Sequence, residues 1–184
     1  MSKLYSLVLC LSVAGAIALA DPPNPPNPPD PPDPPHAAGQ LKASLNGASE
    51  VPLVLTTGSG QANASVSSDQ KSISLTLKFS NLVGVAKSAS LYLGLPLTVG
   101  GPVAPICGGT MPACPTTASG SVTATIQASD IAAIAAQGLA AGDLATVLTS
   151  LMHGELYVNV ITDKFPNGEI RGQLGRGFEL GILH

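Results

Sequence analysis

The side chains able to do chemistry in this sequence are scattered. Glu50, Asp130, Asp143, Glu155, Asp163 and Glu169 are of the type that works as paired acid and base in glycoside hydrolysis. Trp is absent and aromatic residues are only 3% of the chain, so there is little from which to build a sugar-binding cleft around them. The serines and threonines show no Gly-x-Ser-x-Gly elbow, and no histidine falls in a strand or loop that places it beside one. The three histidines, His36, His153 and His184, are too dispersed to imply the clustered imidazoles a transition metal needs. The expectation is a chain with no catalytic residue, no metal site and no cofactor. Asp130 and Asp143 then have a simpler use as helix caps, and His153 as a cation-capable group near a helix C-terminus.

Cys107 and Cys114 bracket one loop, Cys-Gly-Gly-Thr-Met-Pro-Ala-Cys. In an exported chain such a pair meets an oxidising environment and can close, which predicts a Cys107–Cys114 disulfide. The sharper alternative is a metal site, but two thiols without neighbouring His or further Cys fall short of the four ligands of a structural zinc.

Export itself is written at the N-terminus. Lys3 supplies a positive n-region, residues 4–19 form an apolar run, and Ala18-Leu19-Ala20 fits the small-x-small cleavage pattern. Residues 1–20 read as a signal peptide removed after Ala20, taking Cys10 with it. The alternative, an uncleaved anchor, would have to span a bilayer of roughly 30 Å with a short run and no basic flank after it. Residues 21–38 repeat Pro-Pro-Asn and Pro-Pro-Asp, where each proline fixes φ and removes a backbone donor. This segment is expected to be a stiff, solvated spacer that carries no helix or strand.

A single domain follows, at residues 39–175, with a C-terminal tail at 176–184. Charged residues are 10% of the chain and hydrophobic ones 45%, enough for a core. A net charge of -3 with no basic cluster leaves no electrostatic footprint for nucleic acid. Alternating apolar and polar residues predict strands at 40–46, 60–66, 72–78 and 88–93, with a hairpin turn at 67–71. Residues 94–115 carry several prolines and glycines and read mainly as loop. Further strands are expected at 121–127, 155–162 and 168–174, the last two as a hairpin. One helical region is expected at 129–153, with Leu144, Val147, Leu148 and Leu151 at helical spacing and Gly154 ending it. Short strands separated by turn residues and joined by one short helical crossover predict a mainly β fold, an antiparallel β-sandwich of Greek-key type.

Two segments at opposite ends of this domain carry a pattern of their own. One is Leu45-Asn46-Gly47-Ala48-Ser49-Glu50-Val51-Pro52; the other runs from Tyr157-Val158-Asn159-Val160-Ile161-Thr162 into Phe165-Pro166-Asn167-Gly168-Glu169-Ile170-Arg171-Gly172-Gln173-Leu174. Together they resemble the CHRD (chordin-type) family, with Glu50, Val51, Pro52, Tyr157, Asn159, Gly168, Glu169, Arg171 and Gly172 as the matching motif positions. The resemblance implies an immunoglobulin-like or superoxide-dismutase-like sandwich. It also implies extracellular binding or architectural duty, the family's known setting being a secreted growth-factor antagonist whose ligand is not carried over here. Family members commonly hold a His-x-His pair and a third His where this chain has Ser90-Leu91-Tyr92 and Ile161, so the metal-dependent redox alternative that the sandwich brings to mind loses its ligands.

On the physical side, strand alternation puts Glu169, Arg171 and Gln173 on one face of the last strand and Ile170, Gly172 and Leu174 on the other. If first and last strands meet, Glu50, Glu169 and Arg171 would form a charge cluster that fixes register rather than performs chemistry. The alternative is three solvated charges. The reading for the whole chain is a secreted or extracytoplasmic protein, at the cell surface or in the periplasm, with no membrane span after cleavage. Its partner would be an unknown extracellular protein or cell-surface component.

Overall fold

A computed structural model describes residues 40–176. The signal peptide expected at 1–20, the spacer at 21–38, and residues 177–184 of the tail lie outside the described residues, as do His36 and His184.

The described residues are mainly antiparallel β. In chain order the strands are β1 (Leu41–Asn46), β2 (Ser59–Val66), β3 (Ser72–Ser80), β4 (Ala86–Leu93), β5 (Gly101–Cys107), β6 (Gly120–Gln127), β7 (Leu156–Thr162), β8 (Ile170–Gln173) and the two-residue β9 (Gly175–Arg176); helix α1 (Leu144–Met152) precedes β7. They form one hydrogen-bonded sheet in the order β5-β4-β7-β8-β1-β2-β3-β6, with β9 pairing β1. The two ends of that path, β5 and β6, lie against each other, so the sheet curls into a nearly closed barrel.

Alternation explains most of it. Leu41, Ala43 and Leu45 of β1 and Ile73, Leu75, Leu77 and Phe79 of β3 point inward, while the residues between them face out. The intervening β2 presents the small Ala62 and Ala64 to the interior, with Val66 packed against the core at its end, so bulky rows on its two neighbours flank a thinner one. The hairpins β2–β3 and β7–β8 pair as their sequences predict, through Ala64↔Leu75 and Asn159↔Arg171.

Two expectations need correcting. Residues 101–107, read as loop because of Pro102 and Pro105, form β5, with Val103, Ala104, Ile106 and Cys107 buried. A strand that ends the hydrogen-bonded path needs ladder donors on one side only, and there proline is tolerated. The helical region expected at 129–153 is helical only over Leu144–Met152. Before it the chain makes two single 3-10 turns, Ala128–Asp130 and Ala135–Gln137, and an isolated Ile134–Leu139 bridge. Helix cannot continue through Gly142, whose φ is +78°, and α1 starts afresh where Asp143 accepts from the Thr146 amide at 3.0 Å. Ile131, Leu139, Leu144, Val147 and Leu151 from this crossover complete the core.

Cys107 and Cys114 are joined by a disulfide seven residues apart, and both are buried. A loop so short removes little unfolded-state entropy, so the Cys107→Ser/Cys114→Ser double variant is expected to lose about 2 kcal/mol. The measurement is the shift of the denaturant midpoint at unchanged slope. A loss twice that size would mean the loop does more than close on itself.

Candidate functional site

The two motif segments meet in space because β1 and β8 are neighbours in the sheet, with Asn46 opposite Arg171. Local chemistry turns the chain at once after β1. The Asn46 side chain accepts from the Ser49 amide at 3.0 Å and from its hydroxyl at 3.1 Å. The Val54 amide then donates back to the Gly47 carbonyl at 2.8 Å, folding residues 47–54 into a compact turn. That turn delivers Glu50 onto the outer face of β7 and β8.

An outer face would ordinarily be wet, but here it is covered. β7 is buried on both faces over most of its length, and β8 nearly so. The cover is the segment 50–58 from one side and the β4–β5 connection, residues 94–100, from the other. Cross-strand register lays two polar rows beneath them: Ser90, Asn159, Arg171 and Asn46 in one, Tyr92, Tyr157 and Gln173 in the other.

Each polar group of β8 takes hold of a loop. Arg171, 3% exposed, donates from Nη1 to the Thr98 carbonyl at 2.6 Å and from Nη2 to the Leu95 carbonyl at 3.0 Å. Its guanidinium lies 3.4 Å from the centroid of the Tyr157 ring, which stacks in turn on Tyr92 with centroids 5.2 Å apart. The Tyr157 hydroxyl accepts from the Gly100 amide at 3.1 Å, and Gln173 donates to the carbonyls of Gly94 and Gly154, each at 2.8 Å.

Glu169, just before β8, is held by a different set of groups. Fully buried, it accepts from the Thr56 hydroxyl at 2.7 Å and the Val83 amide at 2.6 Å on one oxygen, and from the Gly84 amide at 3.0 Å on the other. Burial pushes its carboxyl up, but the Thr56 hydroxyl, the two amides and the Thr162 hydroxyl prevail and hold it below the ordinary value.

Glu50 is different. It is 6% exposed, its Oε1 has no hydrogen-bond partner, and burial pushes its carboxyl up to about 7 against the pull of the Arg171 guanidinium. Beside it, Asn159 donates from Nδ2 to the Asn167 carbonyl at 3.0 Å, which leaves its buried Oδ1 without a donor. Between the two stands Gly168 at φ +132°. A Cβ there would lie 2.4 Å from Asn159 Oδ1 and 2.6 Å from Glu50 Oε1, so any other residue is strained in its backbone and must displace these side chains. A pocket of about 130 Å³ opens between the 50–54 turn and the β7–β8 hairpin, lined by Glu50, Pro52, Val54, Lys164, Phe165 and Pro166 among others.

The structure therefore buries Glu50, Glu169 and Arg171 but divides them. Glu50 lies within the field of Arg171, whereas Glu169 belongs to a separate set with Thr56, Val83 and Gly84. Val51 and Pro52 line the pocket, Tyr157 and Asn159 stand in the covered rows, and Gly172 packs its backbone against Ser44 of β1. Sequence reading named Tyr92 only as a place where a family histidine is missing, and pointed neither to Thr56 nor to the carbonyls of Leu95 and Thr98. No local signal marks them, because Arg171 reaches those carbonyls from more than seventy residues away.

Ser90, Tyr92 and Ile161, the positions where resemblance leads one to look for histidines, fall on this same outer face of β4 and β7. Among the described residues no group of three His, Cys, Asp or Glu side chains converges as a metal site would require. The same residues contain no helix long and apolar enough to cross a membrane.

No match was found among curated proteins or among solved structures. The family model described as the CHRD domain matches residues 41–174, a span that runs from the first residue of β1 to the residue after β8. Both segments that close over Glu50, and every strand between them, lie inside that match, and the chain belongs to the CHRD domain family.

Proposed function

We propose that this chain is a non-catalytic CHRD domain protein, secreted or displayed outside the cytoplasm, that acts there as a binding or structural module. Residues 1–20 act as its signal peptide and 21–38 as a spacer that stands the domain off from its point of attachment. The disulfide fits an oxidising compartment. We also read the curled sheet as a Greek-key sandwich: β4, β5 and β6 lie side by side, and the chain returns at β7 to lie beside β4.

The observation that carries the functional reading is how the polar side chains of the terminal motif are used. Arg171, Gln173 and Glu169 are each committed to backbone groups or hydroxyls of covering loops, an arrangement that positions surface segments and leaves these groups no proton to move. What the loops display is apolar and uncharged: Leu53 and Leu55 on one, Leu95, Leu97 and Val99 on the other, with Leu55 92% exposed. Arg171 and Glu169 are two residues apart, about 7 Å along one strand, so both loops are pinned beside the same strand. Exposed apolar side chains on a rigid backbone are suited to contact a partner with little ordering cost.

A photoreactive side chain placed at Leu97 in the exported protein tests this. One discrete cross-linked extracytoplasmic partner, lost when Leu95→Asp is added, is the result expected of a binding module. Cross-links confined to copies of the chain itself indicate the structural role. Absence of both, with the folded protein present outside the cell, overturns the reading.

A further inference from the structure

We propose that Glu50 is a proton latch: in the closed fold its carboxyl carries a hydrogen and donates it to the amide oxygen of Asn159, tying the 47–54 turn to the β7–β8 hairpin. Two buried acceptors without donors, Glu50 Oε1 and Asn159 Oδ1, sit within 2.6 Å of one point beside Gly168. One hydrogen satisfies both, whereas two bare oxygens facing each other out of water repel and each lose a bond. The Asn159 orientation is set independently, since its Nδ2 is engaged by the Asn167 carbonyl and Oδ1 must face the other way.

Burial favours a neutral Glu50 against the pull of Arg171, and Lys164 lines the same pocket. Arg171 of β8 attracts a carboxylate but has two of its N–H groups engaged by Leu95 and Thr98 and its face by Tyr157. Tyr92 of β4 is itself held protonated by burial, by Tyr157 and by Glu50. On the hairpin, Lys164 lines the pocket and Asp163 accepts from the Val85 amide, while Glu169 is engaged by Thr56, Val83 and Gly84. Burial of Glu50 is the dominant influence, with a carboxyl pushed from 4.5 to about 7 as its consequence.

When the proton leaves, it goes to bulk water by way of the pocket, and the carboxylate left behind drives the turn away from the hairpin toward solvent. The latch is therefore closed in mildly acidic surroundings and loosened in mildly alkaline ones. It changes the shape of the pocket at the point where the two family segments touch.

Hydrogen exchange of the full exported chain, corrected for intrinsic rates, reads this directly at the Val54 amide, which bonds Gly47 across the turn, and at the Gly168 amide, which bonds Phe165 in the hairpin. Between pH 5.5 and 8.5 their protection is expected to fall by roughly thirtyfold in the wild type. In Glu50→Gln, whose carboxamide can donate to Asn159 at every pH, it stays level. An equal fall in both proteins overturns the latch, as does a level wild type. If Glu50→Gln does not fold, infrared spectra of wild-type protein with isotope-labelled glutamate decide. A protonated-carboxyl band present at pH 5.5 and gone at 8.5 supports the latch, and its absence at 5.5 overturns it.

Discussion

Arg171→Met is expected to lower the unfolding free energy by about 2–3 kcal/mol, the usual loss when hydrogen bonds from a buried charged group are removed. Methionine matches the stem of arginine but leaves the carbonyls of Leu95 and Thr98 without donors and uncovers the face of Tyr157. Because the guanidinium also draws the Glu50 carboxyl downward, its loss should move the Glu50 titration to still higher pH. Denaturant midpoints at constant slope measure the first effect. Faster exchange at the Gly100 amide, the donor to Tyr157, measures release of the loop. Arg171→Lys separates charge from geometry: an ammonium keeps the charge but cannot bridge two carbonyls as a planar fork does, so it is expected to recover only part of the loss. Unchanged thermal stability and secretion in Arg171→Met would remove the clamp as an explanation of why this strand carries arginine.

Glu169→Gln is the second large effect, at about 3 kcal/mol, and it comes without any change of shape. The carboxylate accepts on both oxygens, whereas the carboxamide must turn an N–H toward the amide of Val83 or of Gly84, or toward the Thr56 hydroxyl. The variant also changes the pH profile, and the two buried carboxyls oppose one another there. Glu169 has a lowered value in the fold, so its contribution is present above the ordinary 4.5 and is lost as pH falls through that lowered value. Glu50 has a raised value, so its contribution is present below 4.5 and is lost as pH rises from there through about 7. As far as these two groups are concerned, stability of the wild type should peak in the region of pH 4.5. Glu169→Gln should flatten the acid limb alone, and Glu50→Gln the limb toward neutrality. Thermal unfolding across pH 3 to 8.5 checks both, and an acid limb unaltered in Glu169→Gln would mean that another carboxyl governs it.

These effects share a geometry that matters for function. The terminal hairpin does not face water with its polar residues, as alternation on an outer strand would lead one to expect. It faces loop backbone, and so acts as a rack on which two apolar surface segments are hung. On the binding reading proposed above, the loops supply the contact surface while the hairpin that holds them stays the same.

Legibility of the sequence divides along the same line. The inward faces of β1 and β3, the β2–β3 and β7–β8 hairpins, the Asp143 cap and the cysteine pair were all readable, because alternation, turn residues and capping are set by neighbours a few positions away. Glu50 and Arg171 could be nominated as partners from motif and scarcity of charge, but their surroundings could not. β5 was hidden by its prolines, whose acceptability depends on the strand lying at the end of the sheet, a property of the assembled fold. The crossover was overestimated as helix because apolar spacing alone does not say where the chain must dip into the core at Ile131 and Leu139. Most of all, tertiary structure decided what each buried charge touches. Alternation determined that Glu169, Arg171 and Gln173 share a face, but the carbonyls and amides that meet them belong to loops whose paths are fixed only when distant strands pack. A hydrogen bond with a buried charge depends on position to within a fraction of an ångström, and no local pattern in the chain carries that information.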